Sequence, residues 1–221
     1  MAHDKAADAA ALDAAFLDVR QRIRDYLITH NEFYPGLYDG PRVVPRNELL
    51  ANCRVLPNRL DIIARLPTAG CFAEVGTLYG DFIVDVIEIN RPSEVHLFDF
   101  SFEPLRPQNR ARLDAFGHVT YNIGDSSTQL ASFADAFFDI VYVDADHSYV
   151  GVLKDLHQAL RVLKPDGWLV CNDYTLWDAT QCLPYGVYSA INRFANENDL
   201  RFEFLALHPD GFHDVALRRA G

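Results

Sequence analysis

The chain has 221 residues, a formal net charge of -11 and a sequence pI of about 5.0. Hydrophobic residues make up 49% of it, which is typical of an ordinary globular domain with room for one core. The acidic balance, together with a sequence that has no Lys/Arg cluster, argues against a surface for duplex nucleic acid. We therefore expect no nucleic-acid partner.

The cysteines and the first residues bear on location. The acids Asp4, Asp8 and Asp13 interrupt any apolar region that a signal peptide would need. No stretch is long and apolar enough to predict a membrane span. The cysteines form no Cys-x-x-Cys pair, so we predict neither a disulfide framework nor a zinc site. We expect a cytoplasmic protein without a membrane partner; its cysteines are Cys53, Cys71, Cys171 and Cys182.

The first thirty residues predict one amphipathic helix. Apolar side chains recur there at three- and four-residue spacing and form a single stripe. We favour a helix that packs on the domain; the alternative is a helix that helps to cover an active site or makes a homodimer contact. The stripe consists of Leu12, Phe16, Val19, Ile23, Tyr26 and Leu27.

Residues 33–41 mix aromatic side chains with glycines and prolines, which predicts an irregular loop. Such a loop is either a substrate lid or a connector that its own aromatic side chains keep in order. A further helix is predicted over residues 58–66, where Asn58 can cap the first turn.

From residue 70 onward, buried strands alternate with amphipathic helices. This alternation predicts right-handed strand–helix–strand units and a parallel sheet. Apolar runs such as residues 140–143 suit strands that are covered on both faces. The predicted strands are 71–75, 95–100, 118–121, 140–144 and 168–171, and the predicted helices are 81–88, 105–115, 127–133 and 149–163.

The end of the chain breaks this alternation. A predicted helix over residues 187–196 is followed by two apolar runs, 202–207 and 212–217, across the turn signal Pro209-Asp210-Gly211. These features predict an antiparallel hairpin. The fold prediction is α/β: a Rossmann-like, doubly wound, mostly parallel seven-stranded sheet with this hairpin at its end. Residues 1–69 would form an N-terminal helical extension with the lid, and residues 70–221 the main domain.

One stretch, residues 71–80, organises the predicted site. It begins as a buried strand and ends in Gly76 and Gly80, directly before a helix. Glycines let backbone approach a ligand closely, and the first turn of a helix offers free N–H groups. Glu74 is the anomaly, because a carboxylate at the end of a buried strand is costly unless it binds something.

Polar residues follow all five predicted parallel strands. Because ligands bind beyond the carboxyl ends of such strands, these residues indicate one site. An acid about twenty residues after the glycine turn can accept both hydroxyls of a ribose, and here that acid is Asp99. The strand ends carry Glu74 with Gly76, Asp99, Gly124-Asp125-Ser126, Asp144 and Asn172-Asp173.

A ribose-binding acid is common to sites for dinucleotides and for S-adenosylmethionine. A dinucleotide fingerprint needs Gly-x-Gly-x-x-Gly, whereas Leu78 stands between Gly76 and Gly80 here. Glu74 would also repel a pyrophosphate, while it suits a cofactor with an amino group and a sulfonium. These residues favour S-adenosylmethionine over a nicotinamide cofactor.

From residue 70 to its end, the chain resembles a class I S-adenosylmethionine-dependent methyltransferase. Glu74-x-Gly76-x-x-x-Gly80 resembles the first motif of the catechol O-methyltransferase-like branch. Asp99 matches the family's ribose-binding acid, Gly124-Asp125-Ser126 the loop beside the adenine, and the final hairpin the reversed seventh strand. The resemblance implies a cofactor site made of Glu74, Gly76, Thr77, Gly80, Asp99, Phe100, Gly124, Asp125, Ser126 and Asp144.

A narrower resemblance concerns residues 144–149 together with Asp155, which are similar to a group that includes natural-product sugar O-methyltransferases. In its metal-dependent relatives, the acid of the fourth strand is a metal ligand, a base lies three residues later, and two further ligands end the fifth strand. Oxygen ligands from adjacent strand ends suit a hard cation, which would lower the pKa of a substrate hydroxyl. The resemblance implies Mg²⁺ or another divalent cation on Asp144, Asn172 and Asp173, with His147 as the general base.

The sequence departs from these patterns at two places. Phe82 stands where the catechol branch has Ser or Thr near the carboxylate of the cofactor. Asn172-Asp173 reverses the order of the two ligands in catechol enzymes. Residues 1–69 match no motif, although substrate choice usually depends on that part of such enzymes.

Alternatives stay open for three of the site residues. Asp144 could contact only the cofactor or the substrate, without a metal. His147 could cap the helix that begins near Ser148, and Asp155 could face solvent or fix the loop. The predicted function is S-adenosylmethionine-dependent O-methylation of a small-molecule acceptor with the help of a divalent cation; the alternatives are a nicotinamide-dependent oxidoreductase and a non-catalytic cofactor-binding protein.

Overall fold

The computed structural model describes residues 5–34 and 42–220, with side chains described from residue 11 onward. Most of the segment predicted to be a lid or a connector, residues 35–41, lies outside the described residues. The helices are α1 (Lys5–Thr29), α2 (Asn47–Leu50), α3 (Arg59–Ile63), α4 (Asp81–Asn90), α5 (Pro107–Phe116), α6 (Ser126–Leu130), α7 (Tyr149–Val162) and α8 (Val187–Glu197). The strands are β1 (Arg54–Leu56), β2 (Cys71–Val75), β3 (Glu94–Asp99), β4 (Val119–Ile123), β5 (Phe138–Val143), β6 (Leu163–Cys171), β7 (Trp177–Asp178), β8 (Leu183–Pro184), β9 (Leu200–Ala206) and β10 (Asp214–Arg219).

A central eight-stranded sheet has the order β1-β9-β10-β6-β5-β2-β3-β4. Its strands pair in parallel except at β10, which runs antiparallel to both of its neighbours, β6 and β9. A second, small sheet pairs β7 with β8. The predicted Rossmann-like sheet, mostly parallel with a terminal antiparallel hairpin, is therefore confirmed.

The eighth strand, β1, has no counterpart among the predicted strands. It contains three residues, of which only Leu56 is buried, and it pairs with β9 at the edge of the sheet. A strand this short shows no recognisable alternation of apolar and polar residues. Residues 54–56 are thus part of the central sheet, although they lie in the segment predicted to be a helical extension.

Apolar side chains cover both faces of the sheet. Along β2, Phe72 belongs to one core and Ala73 to the other, and both are fully buried. Ile140 and Val141 of β5 alternate in the same way. Strands covered on both faces leave only their ends for polar side chains, so the polar residues collect at the carboxyl edge of the sheet.

Helix α1 is confirmed, but most of its apolar stripe does not pack on the domain. Leu12, Phe16 and Val19 are 57%, 59% and 49% exposed, whereas Leu27, near the end of the helix, is buried. The expectation that α1 packs on the domain is therefore wrong except at its last turns. The alternative that the stripe makes a homodimer contact stays a prediction.

All four cysteines are free thiols. Cys171 is buried in β6 and Cys71 is half-buried in β2, where both behave as small apolar side chains. Among the described helices, none is long and apolar enough to cross a membrane.

Candidate active site

A cavity of about 610 Å³ opens at the carboxyl ends of β2, β3 and β5. His147 and Asp155 line it, whereas Asn172 and Asp173 do not. The chain folds so that every residue predicted to hold the cofactor meets at this cavity. These ten residues are Glu74, Gly76, Thr77, Gly80, Asp99, Phe100, Gly124, Asp125, Ser126 and Asp144.

Two glycines shape the turn between β2 and α4. Gly76 has φ +89°, and a Cβ atom there would lie 1.9 Å from the carbonyl oxygen of Asp144. Gly80 has φ +73°, and a Cβ atom there would lie 2.2 Å from the side chain of Leu105. Other residues rarely adopt positive φ, so the backbone conformation favours glycine at both positions. At Gly76 the backbone of Asp144 also leaves no space for a side chain, whereas the tip of Leu105 could move away from residue 80. The turn can therefore press directly against the backbone that follows β5.

Asp99 holds this turn as well as lining the cavity. Its Oδ2 atom accepts hydrogen bonds from the backbone N–H groups of Thr77 and Leu78, at 3.0 and 2.9 Å. In the described structure its Oδ1 atom has one long contact, 3.4 Å from the N–H of Ser101. Oδ1 is therefore the oxygen that is available to a ribose hydroxyl.

Glu74 is as buried as its place in the strand predicts. It is 2% exposed, and its Oε2 atom has no hydrogen-bond partner among the described residues. Burial raises the pKa of this carboxyl well above its ordinary value. A buried polar atom without a partner costs about 1–3 kcal/mol of stability. A ligand that brings N–H donors to Oε2 would remove that cost.

Asp125 holds the loop after β4 by capping α6. Its Oδ1 atom accepts a hydrogen bond from the N–H of Thr128 at 2.9 Å, and Lys154 Nζ lies 2.8 Å from its Oδ2 atom. The hydrogen bond from Lys154, with those from the loop, lowers the pKa of Asp125. Asp125 thus shapes the wall of the cavity, and its carboxylate already has several partners.

Asp155 of α7 fixes the same loop. Ser126 Oγ donates a hydrogen bond to its Oδ1 atom at 2.5 Å, and the side chain is 3% exposed. Of the two alternatives for this residue, the one in which it fixes the loop is therefore confirmed, and the one in which it faces solvent is wrong. Burial raises the pKa of Asp155 to about 6.

His147 lies between two carboxylates that come from different strands. Its Nε2 atom is 3.5 Å from Asp144 Oδ1 and 3.3 Å from Asp173 Oδ2. This nitrogen is buried and makes no well-aligned hydrogen bond to a described residue. One ligand atom from each of the three side chains lies within 4.8 Å of the others, a grouping that could hold a metal ion. Asn172 lies beside it and donates from Nδ2 to Asp173 Oδ1 at 2.7 Å.

Tyr185 stacks on the ring of His147, with ring centroids 4.4 Å apart and an angle of 5° between the ring planes, and so holds the orientation of the imidazole. Burial acts to lower the pKa of His147, but Asp144 and Asp173 outweigh it and raise the pKa to about 9. The imidazole is therefore charged at neutral pH when nothing else compensates the carboxylates.

The capping alternative for His147 is wrong. The N-cap of α7 is Ser148, whose Oγ atom accepts a hydrogen bond from the N–H of Gly151 at 3.1 Å. Asp146 supports the same turn, since its Oδ1 atom accepts from the N–H of Ser148 at 2.7 Å. His147 is left free of any role in starting the helix.

Two residues of this region were not predicted from the sequence. Tyr185, 8% exposed, reaches His147 from the segment that precedes α8. Arg59, at the start of α3, lines the cavity beside the residues of β2. Neither position carries a motif, because each side chain reaches the site from a distant segment that only the fold brings near.

The chain is similar to known methyltransferases in sequence and in fold. Residues 73–174 match a family described as a methyltransferase domain. None of the curated proteins matches the chain. Among solved structures, the O-methyltransferase TomG from Streptomyces achromogenes is 20% identical, with 73% of this chain and 78% of TomG covered and a TM-score of 0.55.

Two further structures share the fold. A SAM-dependent methyltransferase from Aquifex aeolicus is 14% identical, covering 72% of this chain and 89% of its own, with a TM-score of 0.53. The B. subtilis tRNA methyltransferase TrmK is 13% identical, covering 75% and 67%, with a TM-score of 0.52. Of two longer relatives, this chain covers only 55% and 54%.

At these identities the solved structures show a common fold, and the family match, which spans just under half of the chain, places a methyltransferase domain at residues 73–174. Fold and domain together support an S-adenosylmethionine-dependent methyltransferase. The neighbours include enzymes of different substrates, so the acceptor is a separate question.

Proposed function

We propose that this chain transfers the methyl group of S-adenosylmethionine to a hydroxyl oxygen of a small molecule, with the help of a divalent cation. The observation that carries the proposal is the group of Asp144, His147 and Asp173 at the edge of the cofactor cavity. Such a group combines a proton acceptor with ligands for a cation. A hydroxyl acceptor needs this help, because an alcohol is a weak nucleophile until its proton is removed.

The residues that line the cavity suit one orientation of the cofactor. Its amino group would meet the unpartnered Oε2 of Glu74, and its ribose would meet Oδ1 of Asp99. Phe100 is 75% exposed, so its ring is free to cover one face of the adenine. The methionine end would then lie toward Asp144 and the adenine toward Ser126.

Asp144 and Asp173, with Asn172 beside them, would hold the cation. The observation that fits a cation is the buried Nε2 of His147, which faces both carboxylates without an aligned hydrogen bond. Carboxylate and amide oxygens are the ligands that suit Mg²⁺. When bound, the cation would lower the pKa of the substrate hydroxyl.

His147 would accept the proton of that hydroxyl at Nε2. Its ring is held in one plane by Tyr185 and shielded from solvent on that side. A pKa of about 9 would make it a poor proton acceptor at neutral pH. Positive charge beside Asp144 and Asp173 would lower this pKa, so the role of His147 as a base is tied to a filled cation site.

The two alternatives fare differently. The match of residues 73–174 to a methyltransferase domain speaks against a nicotinamide-dependent oxidoreductase. A non-catalytic cofactor-binding protein would need the cavity but not the group of Asp144, His147 and Asp173 beside it. We therefore favour an enzyme.

The test is transfer of a tritiated methyl group from S-adenosylmethionine to a panel of catechols and sugars, in Mg²⁺ and in EDTA. We expect labelled product in Mg²⁺ and a loss in EDTA that added Mg²⁺ reverses. Undiminished transfer in EDTA would reject the cation. Calorimetric binding of the cofactor without product from any acceptor would favour a binding protein, and no binding at millimolar cofactor would reject the methyl donor.

A further inference from the structure

Arg59 brings a guanidinium group into the cofactor cavity from outside the methyltransferase-domain match. It is the first residue of α3, and the match begins at residue 73. Its guanidinium carbon lies 4.5 Å from the centre of the Phe82 ring, and its Nη1 atom lies 3.4 Å from the hydroxyl of Tyr142. The group is thus placed over α4, beside the strand that carries Glu74.

This guanidinium has donors to spare. A guanidinium carries five N–H donors. Among the described side chains, those of residues 11–34 and 42–220, Arg59 makes no salt bridge to a carboxylate, and its hydrogen bond to Tyr142 is a long one. Most of its donors are therefore available to a ligand in the cavity.

The charges of the cavity single out Arg59 further. Three basic side chains line the cavity, namely Arg59, Lys154 and His147. Lys154 is paired with Asp125 at 2.8 Å, and His147 faces two carboxylates. Arg59 is the basic group of the described lining that makes no ion pair, although the charges of Glu74, Asp144 and Asp214 act on it.

Phe82 gives the guanidinium a platform. Its side chain offers no hydrogen-bond donor; its ring packs on Tyr142, with centroids 4.1 Å apart, and the guanidinium carbon of Arg59 lies 4.5 Å from the centre of the same ring. The ring thus supports the guanidinium without using any of its N–H donors.

A buried chain of polar groups orients the guanidinium. The hydroxyl of Tyr142 donates to Asp214 Oδ2 at 2.7 Å, and both residues are buried. Tyr142 therefore presents the lone pairs of its oxygen to Arg59. Because β5 and β10 fix Tyr142 and Asp214, the position of Arg59 is set by the central sheet.

We infer that Arg59 binds the α-carboxylate of the methionine end of S-adenosylmethionine. The inference rests on the proposed cofactor, whose amino-acid end is a zwitterion and needs a cation as well as an anion. Glu74 would take the ammonium and Arg59 the carboxylate, both from the same cavity. A planar guanidinium fits a carboxylate through two parallel hydrogen bonds, which makes the contact selective as well as strong.

The test compares two ligands by calorimetry: S-adenosylmethionine and its decarboxylated form, which keeps the sulfonium and the amine. For the unmodified protein we expect loss of the carboxylate to weaken binding by about 10- to 100-fold. Arg59→Ala should weaken the binding of S-adenosylmethionine by a similar factor and leave the affinity for the decarboxylated ligand unchanged. Arg65→Ala, an exposed arginine paired with Asp61, is the control and should change neither.

Four outcomes would overturn the inference. Equal affinity of the unmodified protein for the two ligands excludes a carboxylate contact and needs no variant. An equal loss for both ligands in Arg59→Ala would make Arg59 a structural residue. Unchanged affinity of Arg59→Ala for S-adenosylmethionine would reject the contact of Arg59 with the carboxylate and nothing else. An unmodified protein that binds neither ligand would reject the proposed cofactor, and this assignment with it.

Discussion

The charged side chains around the cavity differ in how many partners the chain itself gives them. Asp125 has Lys154 and a helix N-terminus as partners, whereas Glu74 has an oxygen with no partner among the described residues. His147 has two carboxylates beside it and no aligned hydrogen bond. Some side chains lack hydrogen-bond partners or balancing charges in the free protein. Substitution of these side chains should change ligand binding and turnover more than it changes folding.

His147→Ala should lower kcat by about 10²–10⁴-fold, because the alcohol would lose its proton acceptor. Binding of S-adenosylmethionine should change little, which calorimetry would check. Ser148→Ala is the matched control: it removes the N-cap of α7 and should cost about 1 kcal/mol of stability without that loss of rate. A loss in His147→Ala that is no greater than in Ser148→Ala would contradict the role as a base.

Asp173→Asn should abolish binding of Mg²⁺ and methyl transfer, since it removes one of the two charges that would hold the cation. Asp173 does not line the cavity, so affinity for S-adenosylmethionine should survive. Titration calorimetry with Mg²⁺ and with the cofactor separates the two effects. Asp210→Asn, in an exposed turn, serves as the control. Mg²⁺ affinity equal to that of the unmodified protein would remove Asp173 from the cation site.

At the scale of elements, the central strands could be predicted because each is a continuous apolar run that ends in polar residues. The predicted strand 71–75 coincides with Cys71–Val75, and the other central strands overlap their predicted ranges. Right-handed strand–helix–strand units predicted a parallel sheet, and the carboxyl ends of parallel strands bring Asp99, Asp144 and Asp173 to one edge. Local pattern and a general packing rule were sufficient for this part of the site.

The parts of the fold and of the site that could not be predicted depend on contacts between distant segments, which no local pattern encodes. Strand β1 is too short to show a period, and its pairing with β9 joins segments that lie far apart in the chain. Arg59 reaches the cavity, and Tyr185 reaches the ring of His147, only because α3 and the segment before α8 fold back on this site. The stripe on α1 predicted a helix correctly, yet a stripe does not say what covers it.

The turn between β2 and α4 should be sensitive to any side chain at residue 76. Gly76→Ala should abolish cofactor binding and lower stability by about 2 kcal/mol or more, because the new Cβ atom would collide with the backbone at Asp144. Gly211→Ala is matched for backbone strain, since Gly211 also has positive φ, +84°, but it has nothing within 4 Å. It should cost about 1 kcal/mol and leave cofactor affinity unchanged. Calorimetry and urea unfolding would measure both; equal effects of the two variants would show that the contact at Asp144 is unimportant.

At the scale of the whole molecule, the fold keeps several acids out of water in the absence of ligands. Burial raises the pKa of Asp155 to about 6 and that of Asp214 to about 7. In the unfolded chain both titrate near 3.9. The folded state therefore holds protons that the unfolded state releases, and these groups favour folding most at low pH. The pKa of Asp125 is lowered, so its effect on stability has the opposite sign, but this group titrates only below about pH 4.

The ligand-free protein should consequently lose stability as pH rises from 4.5 to about 6.5, by up to a few kcal/mol. Urea midpoints measured across this range would show the slope. Asp155→Asn and Asp214→Asn keep an oxygen to accept from Ser126 and Tyr142 but cannot ionise, so each should flatten the slope. A slope that stays the same in both variants would mean that these carboxyls titrate normally in the folded state. In that case Asp155 and Asp214 would be better hydrated in solution than their burial in the fold indicates.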